Sequence, residues 1–169
     1  RFVDICDLAE VEKAIQEAKP GCVLMETISN PLLRVGQIDK IAVLTKSAGA
    51  ALLVDNTCAT PLLARPIEMG ANLVVHSLTK FLAGHGDVLG GVVISDAAHY
   101  ETLRTLSRTF GTVLGASQSY LTMRGIKTFA VRAARQCTEA CRGPSSRAGP
   151  PDMSAAAAPP PPAARPPPP

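Results

Sequence analysis

Short apolar runs that alternate with helical stretches constrain the fold of this chain more than any other feature. The runs are CVLMET, ALLVDN, NLVVHS and GGVVIS, which begin at Cys22, Ala51, Asn72 and Gly90. Near-continuous apolar runs are typical of strands that are buried on both faces. Strands separated by helices of about 10–15 residues indicate a mostly parallel sheet with helices packed on it. The sequence therefore predicts an α/β fold with three layers, α/β/α.

The stretches around these runs carry helix signals. After RFVDI, which we expect to form a further short strand, Asp7 and Glu10 have the spacing of a capping box. Apolar residues then recur at helical intervals. A second helix, which Gly49 ends, is predicted between the first two apolar runs. After Ser95 the pattern indicates three more helices.

Polar residues stand where the predicted strands end. Glu26, Asp55 and Ser77 lie near carboxyl ends of strands, where parallel sheets place binding groups. Lys80 follows Ser77 and Thr79 and precedes a glycine-rich loop. A nucleophilic lysine is usually partly buried among polar groups, and hydroxyls with nearby backbone N–H groups can hold a phosphate. A Schiff-base lysine with an aspartate facing a pyridinium nitrogen is the arrangement expected for pyridoxal phosphate.

Composition excludes several classes of protein. The formal net charge is only +3 and no basic run occurs, so we expect no nucleic-acid partner. No apolar stretch reaches the roughly 18 residues that span a bilayer, so we expect no membrane segment. The five cysteines form no C-x-x-C pair, which favours reduced thiols in the cytoplasm and no metal site. The absence of G-x-G-x-x-G after the first strand excludes a dinucleotide-binding fold.

The composition changes at residue 143. Residues 143–169 hold most of the 15 prolines and almost no large apolar side chain. Such a segment cannot bury a core, and we expect it to be disordered or polyproline-like. It is interpreted as a linker, a P-x-x-P ligand, or the product of an altered reading frame or splice. The first residue is Arg1 rather than Met, so we expect the sequence to begin inside a longer protein.

Four blocks resemble one enzyme family. They are ETISNPLLRV, VDNTCATP, HSLTKFLAGHGDVLGG and YLTMRGIKTFAVRAARQC. The third is similar to the family pattern S-x-T-K-[YF]-x-x-G-H-x-D. Together they resemble the Cys/Met metabolism family of pyridoxal-phosphate enzymes, the trans-sulfuration enzymes, over about Arg1 to Cys141. The resemblance implies the large domain of a fold-type I pyridoxal-phosphate transferase, represented in part by residues 1–142.

The resemblance implies roles for four residues around the third predicted strand. Lys80 matches the lysine that forms the Schiff base with the cofactor and later moves protons. Asp55 matches the aspartate that pairs with the pyridine nitrogen, and Ser77 and Thr79 match phosphate ligands. The implied activity is a lyase or transferase reaction, elimination or replacement at the γ- or β-carbon of a sulfur amino acid.

Other matched positions have supporting roles. Asn30 matches the asparagine beside the 3-oxygen of the ring, and Glu26 matches an acid near the aspartate. His85 and Asp87 are expected to organise the glycine loop and a subunit contact. Cys58 departs from the pattern, because the family often has an aromatic side chain there.

Parts of the family pattern have no counterpart in this sequence. They are an N-terminal segment with further phosphate contacts, an arm from a neighbouring subunit and a C-terminal domain that binds the substrate carboxylate. The full-length family is expected to form homo-oligomers, dimers or tetramers. Two hypotheses therefore stay open: a truncated cofactor domain of an enzyme, and a catalytically inactive fragment or pseudoenzyme that acts at most as a subunit-interaction module.

Overall fold

The computed structural model describes residues 1–141 and contains a four-stranded sheet. The strands are β1 (Cys22–Glu26), β2 (Ala51–Asp55), β3 (Leu73–Ser77) and β4 (Gly91–Ser95), and they lie in this order. β2 is parallel to both β1 and β3, whereas β4 is antiparallel to β3. The predicted α/β class with a mostly parallel sheet is therefore confirmed. β4 runs antiparallel because the connection from β3 returns to the same end of the sheet without a full crossover helix.

Helices account for most of the remaining described residues. They are α1 (Leu8–Ala18), α2 (Ile38–Ser47), α3 (Thr60–Leu63), α4 (Ala97–Phe110), α5 (Ala116–Lys127) and α6 (Phe129–Cys141). Two short turns, over Pro66–Met69 and Leu78–Leu82, flank β3. A compact unit covers Arg1–Ala133, and a second unit begins at Ala134, of which residues 134–141 are described as the end of α6. The tail predicted for residues 143–169 lies outside the described residues.

The hydrophobic core lies between one face of the sheet and the first two helices. Most of its members are buried apolar side chains of α1, α2 and the three parallel strands, including Val11, Ile41, Leu52, Val54 and Val74. On β2 and β3 every second residue belongs to this face, as the pleat of a strand requires.

The opposite face of the sheet is largely open in the part of the chain that the structure describes. On β1, Met25 is 4% exposed, whereas its neighbour Leu24, which points to the other face, is 67% exposed. On β4, Val93 is also exposed. The prediction that β1 is buried on both faces is therefore wrong. β1 lies at the edge of the sheet, and among the described residues helices cover only one of its faces.

The N-terminal segment differs from its predicted conformation. RFVDI forms no strand, although Val3 and Ile5 pack against the core cluster. Its alternating apolar residues cover the core without pairing to the sheet. The predicted start of α1 is confirmed, because Asp7 Oδ1 accepts hydrogen bonds from the N–H groups of Ala9 (3.0 Å) and Glu10 (3.1 Å). The capping box is incomplete, since Glu10 accepts from Asp4 N rather than from Asp7 N.

Substitution of the α1 cap tests this local assignment. Asp7→Ala removes the acceptor for two backbone N–H groups and is expected to lower the free energy of unfolding by about 1 kcal/mol. Asp7→Asn keeps an acceptor oxygen and is expected to lie close to the parent. Urea unfolding followed by circular dichroism measures both, and equal losses in the two variants would contradict the assigned cap.

Candidate functional site

The ends of the parallel strands place three of the predicted site residues on one face of the sheet. Glu26 of β1 is in register with Asp55 of β2, and Asp55 is in register with Val75 of β3. Ser77 lies two residues beyond Val75, on the same side of the pleat. This side is opposite to the core face, so the polar strand ends belong to the open face.

A chain of hydrogen bonds joins the ends of β2 and β3. The Asp55 carboxylate is half-buried, and its Oδ1 accepts from Thr57 N at 2.9 Å. The Thr57 hydroxyl in turn accepts from Ser77 N at 2.8 Å. Within residues 1–141, Asp55 Oδ2 and the Ser77 hydroxyl have no hydrogen-bond partner, so both face the site with free capacity. Thr57 was not predicted as a site residue, although it belongs to the VDNTCATP block.

Lys80 lies in the turn that follows β3. The backbone leaves helical geometry at this residue (φ −93°, ψ −124°), and the turn is closed by Ala83 N to Leu78 O (3.1 Å) and Gly84 N to Lys80 O (2.9 Å). The lysine is exposed rather than partly buried, and no described residue forms an ion pair or hydrogen bond with its Nζ. Thr79 accepts a hydrogen bond from Gly90 N at 3.2 Å, which joins the turn to the start of β4.

The glycine loop after Lys80 contacts α5 and also forms a contact between two of its own residues. Asp87 forms an ion pair with Arg124 of α5. His85 Nδ1 contacts the Ala83 carbonyl oxygen at 2.6 Å. These contacts support the loop-organising roles expected for His85 and Asp87.

Asn30 and Glu26 are brought together beyond the end of β1. Glu26 Oε2 accepts from the backbone N–H of Asn30 at 3.0 Å. The loop that carries Asn30 is closed by the bridge between Ile28 and Val35. Both Asn30 and Glu26 are exposed. Glu26 therefore positions the Asn30 loop over the end of β1, which the sequence did not predict.

His76 occupies the core side of β3. It is buried, and its Nδ1 has no hydrogen-bond partner among the described residues. Burial lowers the pKa of His76 below its ordinary value of 6.5, although the Asp55 carboxylate and the Asn56 backbone act in the opposite direction. The side chain is therefore neutral near pH 7, which suits a histidine packed on the core side of β3.

An apolar cavity of about 920 Å³ lies elsewhere in the unit, beside β4 and α4. Its lining includes Val93, Tyr100 and Phe110, and none of the six predicted site residues contributes to it. In the described part of the chain, no cluster of three or more His, Cys, Asp or Glu side chains could hold a metal ion. No helix among these residues is long and apolar enough to cross a membrane.

Comparison with known proteins identifies the family. Residues 1–143 match the family model described as Cys/Met metabolism PLP-dependent enzyme. The chain belongs to this family. Members of this family use pyridoxal phosphate (PLP) as their cofactor.

Two similar proteins are named for reactions of sulfur amino acids. The chain is 43% identical over 132 residues to cystathionine gamma-lyase of Bacillus subtilis (strain 168), which covers 78% of this chain and 35% of the relative. It is 41% identical over 142 residues to L-methionine gamma-lyase of Pseudomonas putida, covering 83% of the chain and 35% of the relative. The chain thus spans about a third of the length of these relatives.

Solved structures confirm the fold assignment. The crystal structure of metB from Corynebacterium glutamicum superposes with a TM-score of 0.80 at 39% identity, covering 84% of this chain and 37% of that one. Cystathionine gamma synthase from Xanthomonas oryzae pv. oryzae, in complex with cystathionine, gives a TM-score of 0.76 at 34% identity, covering 84% and 38%. The predicted fold-type I large domain, present as a fragment, is confirmed.

Thr57 offers a test of the link between β2 and β3. Thr57→Val keeps the shape of the side chain but leaves the half-buried N–H of Ser77 without its acceptor, so we expect a loss of about 1 kcal/mol in the free energy of unfolding. Thr57→Ser retains the hydroxyl and is the matched control. Urea unfolding curves of the three chains check the prediction, and a Val variant as stable as the Ser variant would refute it.

The buried His76 predicts a pH dependence of stability. Because the folded state lowers the pKa of His76, the unfolded chain binds the proton more readily below about pH 6.5. The contribution of the neutral His76 ring to the free energy of unfolding is complete above pH 6.5. The free energy of unfolding is expected to fall as the pH drops from 6.5 towards the pKa of His76 in the folded state. Urea unfolding across this range, with NMR titration of the His76 ring, measures the effect. A His76→Gln variant with the same slope as the parent would speak against it.

Proposed function

We propose that this chain is the cofactor-binding part of a pyridoxal-phosphate-dependent lyase or transferase of sulfur amino acid metabolism. Elimination or replacement at the γ- or β-carbon of the substrate is the proposed reaction class. The observation that carries this proposal is the amine of Lys80, which no residue among 1–141 binds and which lies on a turn directly after β3. The neighbouring strand ends present an Asp55 oxygen and a Ser77 hydroxyl that are free among the same residues. Family membership and the relatives named cystathionine gamma-lyase and L-methionine gamma-lyase support it.

The groups present fit the chemistry of the cofactor. A carboxylate oxygen left free by Thr57 suits a protonated ring nitrogen, and the hydroxyls of Ser77 and Thr79 suit a phosphate. The Thr79 hydroxyl accepts from Gly90 N at 3.2 Å and donates to Gly90 O at 3.5 Å, a long hydrogen bond that a phosphate oxygen could replace. Lys80 supplies the amine that attaches the cofactor. Pyridoxal phosphate, when bound, supplies an electron-accepting ring for bonds broken at the α-carbon of an amino acid.

Each side chain has its own proposed task in this site. Asp55 holds a proton on the ring nitrogen through its negative charge, because an opposite charge favours the protonated form. Lys80 carries a proton between carbons of the substrate. Asn30 would hold the ring oxygen of the cofactor, and Glu26 fixes the loop of Asn30 through its 3.0 Å hydrogen bond.

The wider setting is part of the proposal. The substrate is a sulfur amino acid, and the whole protein is a homo-oligomer of two or four subunits. Cys6, Cys22, Cys58 and Cys137 are free thiols, which supports a cytoplasmic location. Residues 1–142 are proposed as the cofactor domain and residues 143–169 as a separate tail.

A second candidate function is a catalytically inactive fragment or pseudoenzyme that contacts other subunits. The openness of the site favours it: Lys80 is exposed, and Leu24 and Val93, on the sheet face that carries Asp55 and Ser77, are exposed as well. Water then screens the charges that would hold a ligand. Cofactor binding without turnover is the outcome that this candidate predicts.

Cofactor attachment to Lys80 is the direct test. We expect pyridoxal phosphate, added to the full chain and fixed with borohydride, to label the peptide that contains Lys80. Lys80→Arg keeps the charge but removes the attaching amine and is expected to abolish this label, whereas Lys46→Arg, at an exposed helical site, leaves it intact. Peptide mapping by mass spectrometry measures the outcome.

The result separates the two candidates. Label spread evenly over the lysines, or unchanged in Lys80→Arg, would overturn the proposed site. A label on Lys80 together with release of ketoacid or thiol from sulfur amino acids supports the enzyme. A label without any release supports the inactive fragment.

A further inference from the structure

The side chain of Arg132, in the first turns of α6, is inserted between the Lys80 turn and α5. Its Nη1 donates to Phe81 O at 2.9 Å, and its Nη2 donates to Leu82 O at 3.2 Å. The same Nη2 donates to Gly125 O at 3.0 Å, and Nε donates to Thr128 Oγ1 at 3.0 Å. One guanidinium thus joins two segments that are about 50 residues apart in sequence.

The Lys80 turn needs these hydrogen bonds. The turn ends at Leu82, and the last carbonyl groups of a helical turn have no N–H partner within it. Leu82 is buried, so water has little access to replace a missing donor. Hydrogen bonds from a charged donor are about twice as strong as neutral ones, which suits a short turn with few bonds of its own.

Two glycines provide the space for this arrangement. A Cβ on Gly84 would lie 2.0 Å from Arg132 Nη1, and the φ of Gly84 is +69°. A Cβ on Gly125 would lie 2.2 Å from Ala83 O, so α5 packs with its backbone directly against the end of the turn. The socket of the guanidinium is therefore built by close backbone approach on both sides.

The turn is anchored separately before and after Lys80. Before it, Ser77 N is held by Thr57 and the Thr79 hydroxyl by Gly90. After it, the carbonyl of Phe81, the next residue, is held by Arg132. Loss of Arg132 would release the second side and leave the first intact.

We propose that Arg132 is a positioning residue that holds the Lys80 turn in the shape in which the amine meets the cofactor. The inference rests on the proposed function of Lys80 and adds a residue from a distant helix to that site. The planar fork of arginine reaches Phe81, Leu82 and Gly125 at once, which the single ammonium of lysine does not. The proposed role therefore requires the guanidinium group of arginine, and the positive charge of a lysine is not sufficient.

The test compares Arg132→Lys and Arg132→Gln with the parent full chain. Arg135→Gln is the matched control, since Arg135 is on the same helix and, among residues 1–141, pairs only with Glu139. We expect the dissociation constant for pyridoxal phosphate to rise about tenfold in both Arg132 variants and to stay unchanged in the control. Methylguanidine is expected to restore binding in part to Arg132→Gln but not to Arg135→Gln.

Two readouts without cofactor separate this inference from the proposed function. Amide hydrogen exchange of Ala83 and Gly84 is expected to be faster in the Arg132 variants. The pH profile for modification of Lys80 by an amine-reactive acylating reagent is expected to change relative to that of Lys46 in the same chain. A general loss of stability would alter both lysines together, whereas a positioning role alters Lys80 alone.

Each outcome decides one of the two ideas. If the parent fails to bind the cofactor at Lys80 but the Arg132 variants change Ala83 exchange and Lys80 modification selectively, the proposed function falls and Arg132 still positions the turn. If the variants are folded by circular dichroism and keep the exchange, modification profile and cofactor affinity of the parent, the positioning role is overturned. If Arg132→Gln unfolds, Arg132→Lys decides by the same criteria, and unfolding of both would make Arg132 a residue of global stability and refute the inference.

Discussion

The parallel pairing of β2 with both of its neighbours is the constraint on which the rest of the site depends. Hydrogen-bonded parallel strands end at the same edge of a sheet, so the register brings Asp55 level with Glu26 on one side and with Val75 on the other. Thr57 then extends this order past the strand by holding Ser77 N. Residues that are separate in sequence thereby share one edge and one face.

The two faces of the sheet have different tasks because the pleat alternates side chains between them. One face carries Leu52, Val54 and Val74 into the core beneath α1 and α2. The other face carries Asp55 and the predicted phosphate ligand Ser77 and stays open among the described residues. Polar groups with free hydrogen-bonding capacity can therefore stand next to a dry core without being buried in it.

In the turn after β3, the side chain of Lys80 is exposed while its backbone is held in place. Lys80 itself has no described partner, yet the backbone on both sides of it is bound to other elements. The donor before it is the N–H of Gly90, next to the start of β4, and the donor after it is Arg132 of α6. The amine keeps its freedom to react while the backbone sets its position.

Much of this protein was determined by the sequence itself: the four strands, the helices between them, the cap at Asp7 and the family to which the chain belongs. These depend on local periodicity and on short motifs, which a single segment carries complete. Three features were decided only by the tertiary structure. The apolar RFVDI segment covers the core instead of pairing, β1 has one open face although its run is apolar, and Arg132 reaches the Lys80 turn from about 50 residues away. These features depend on contacts between residues that are distant in sequence. A local sequence pattern does not determine which distant segment packs against it.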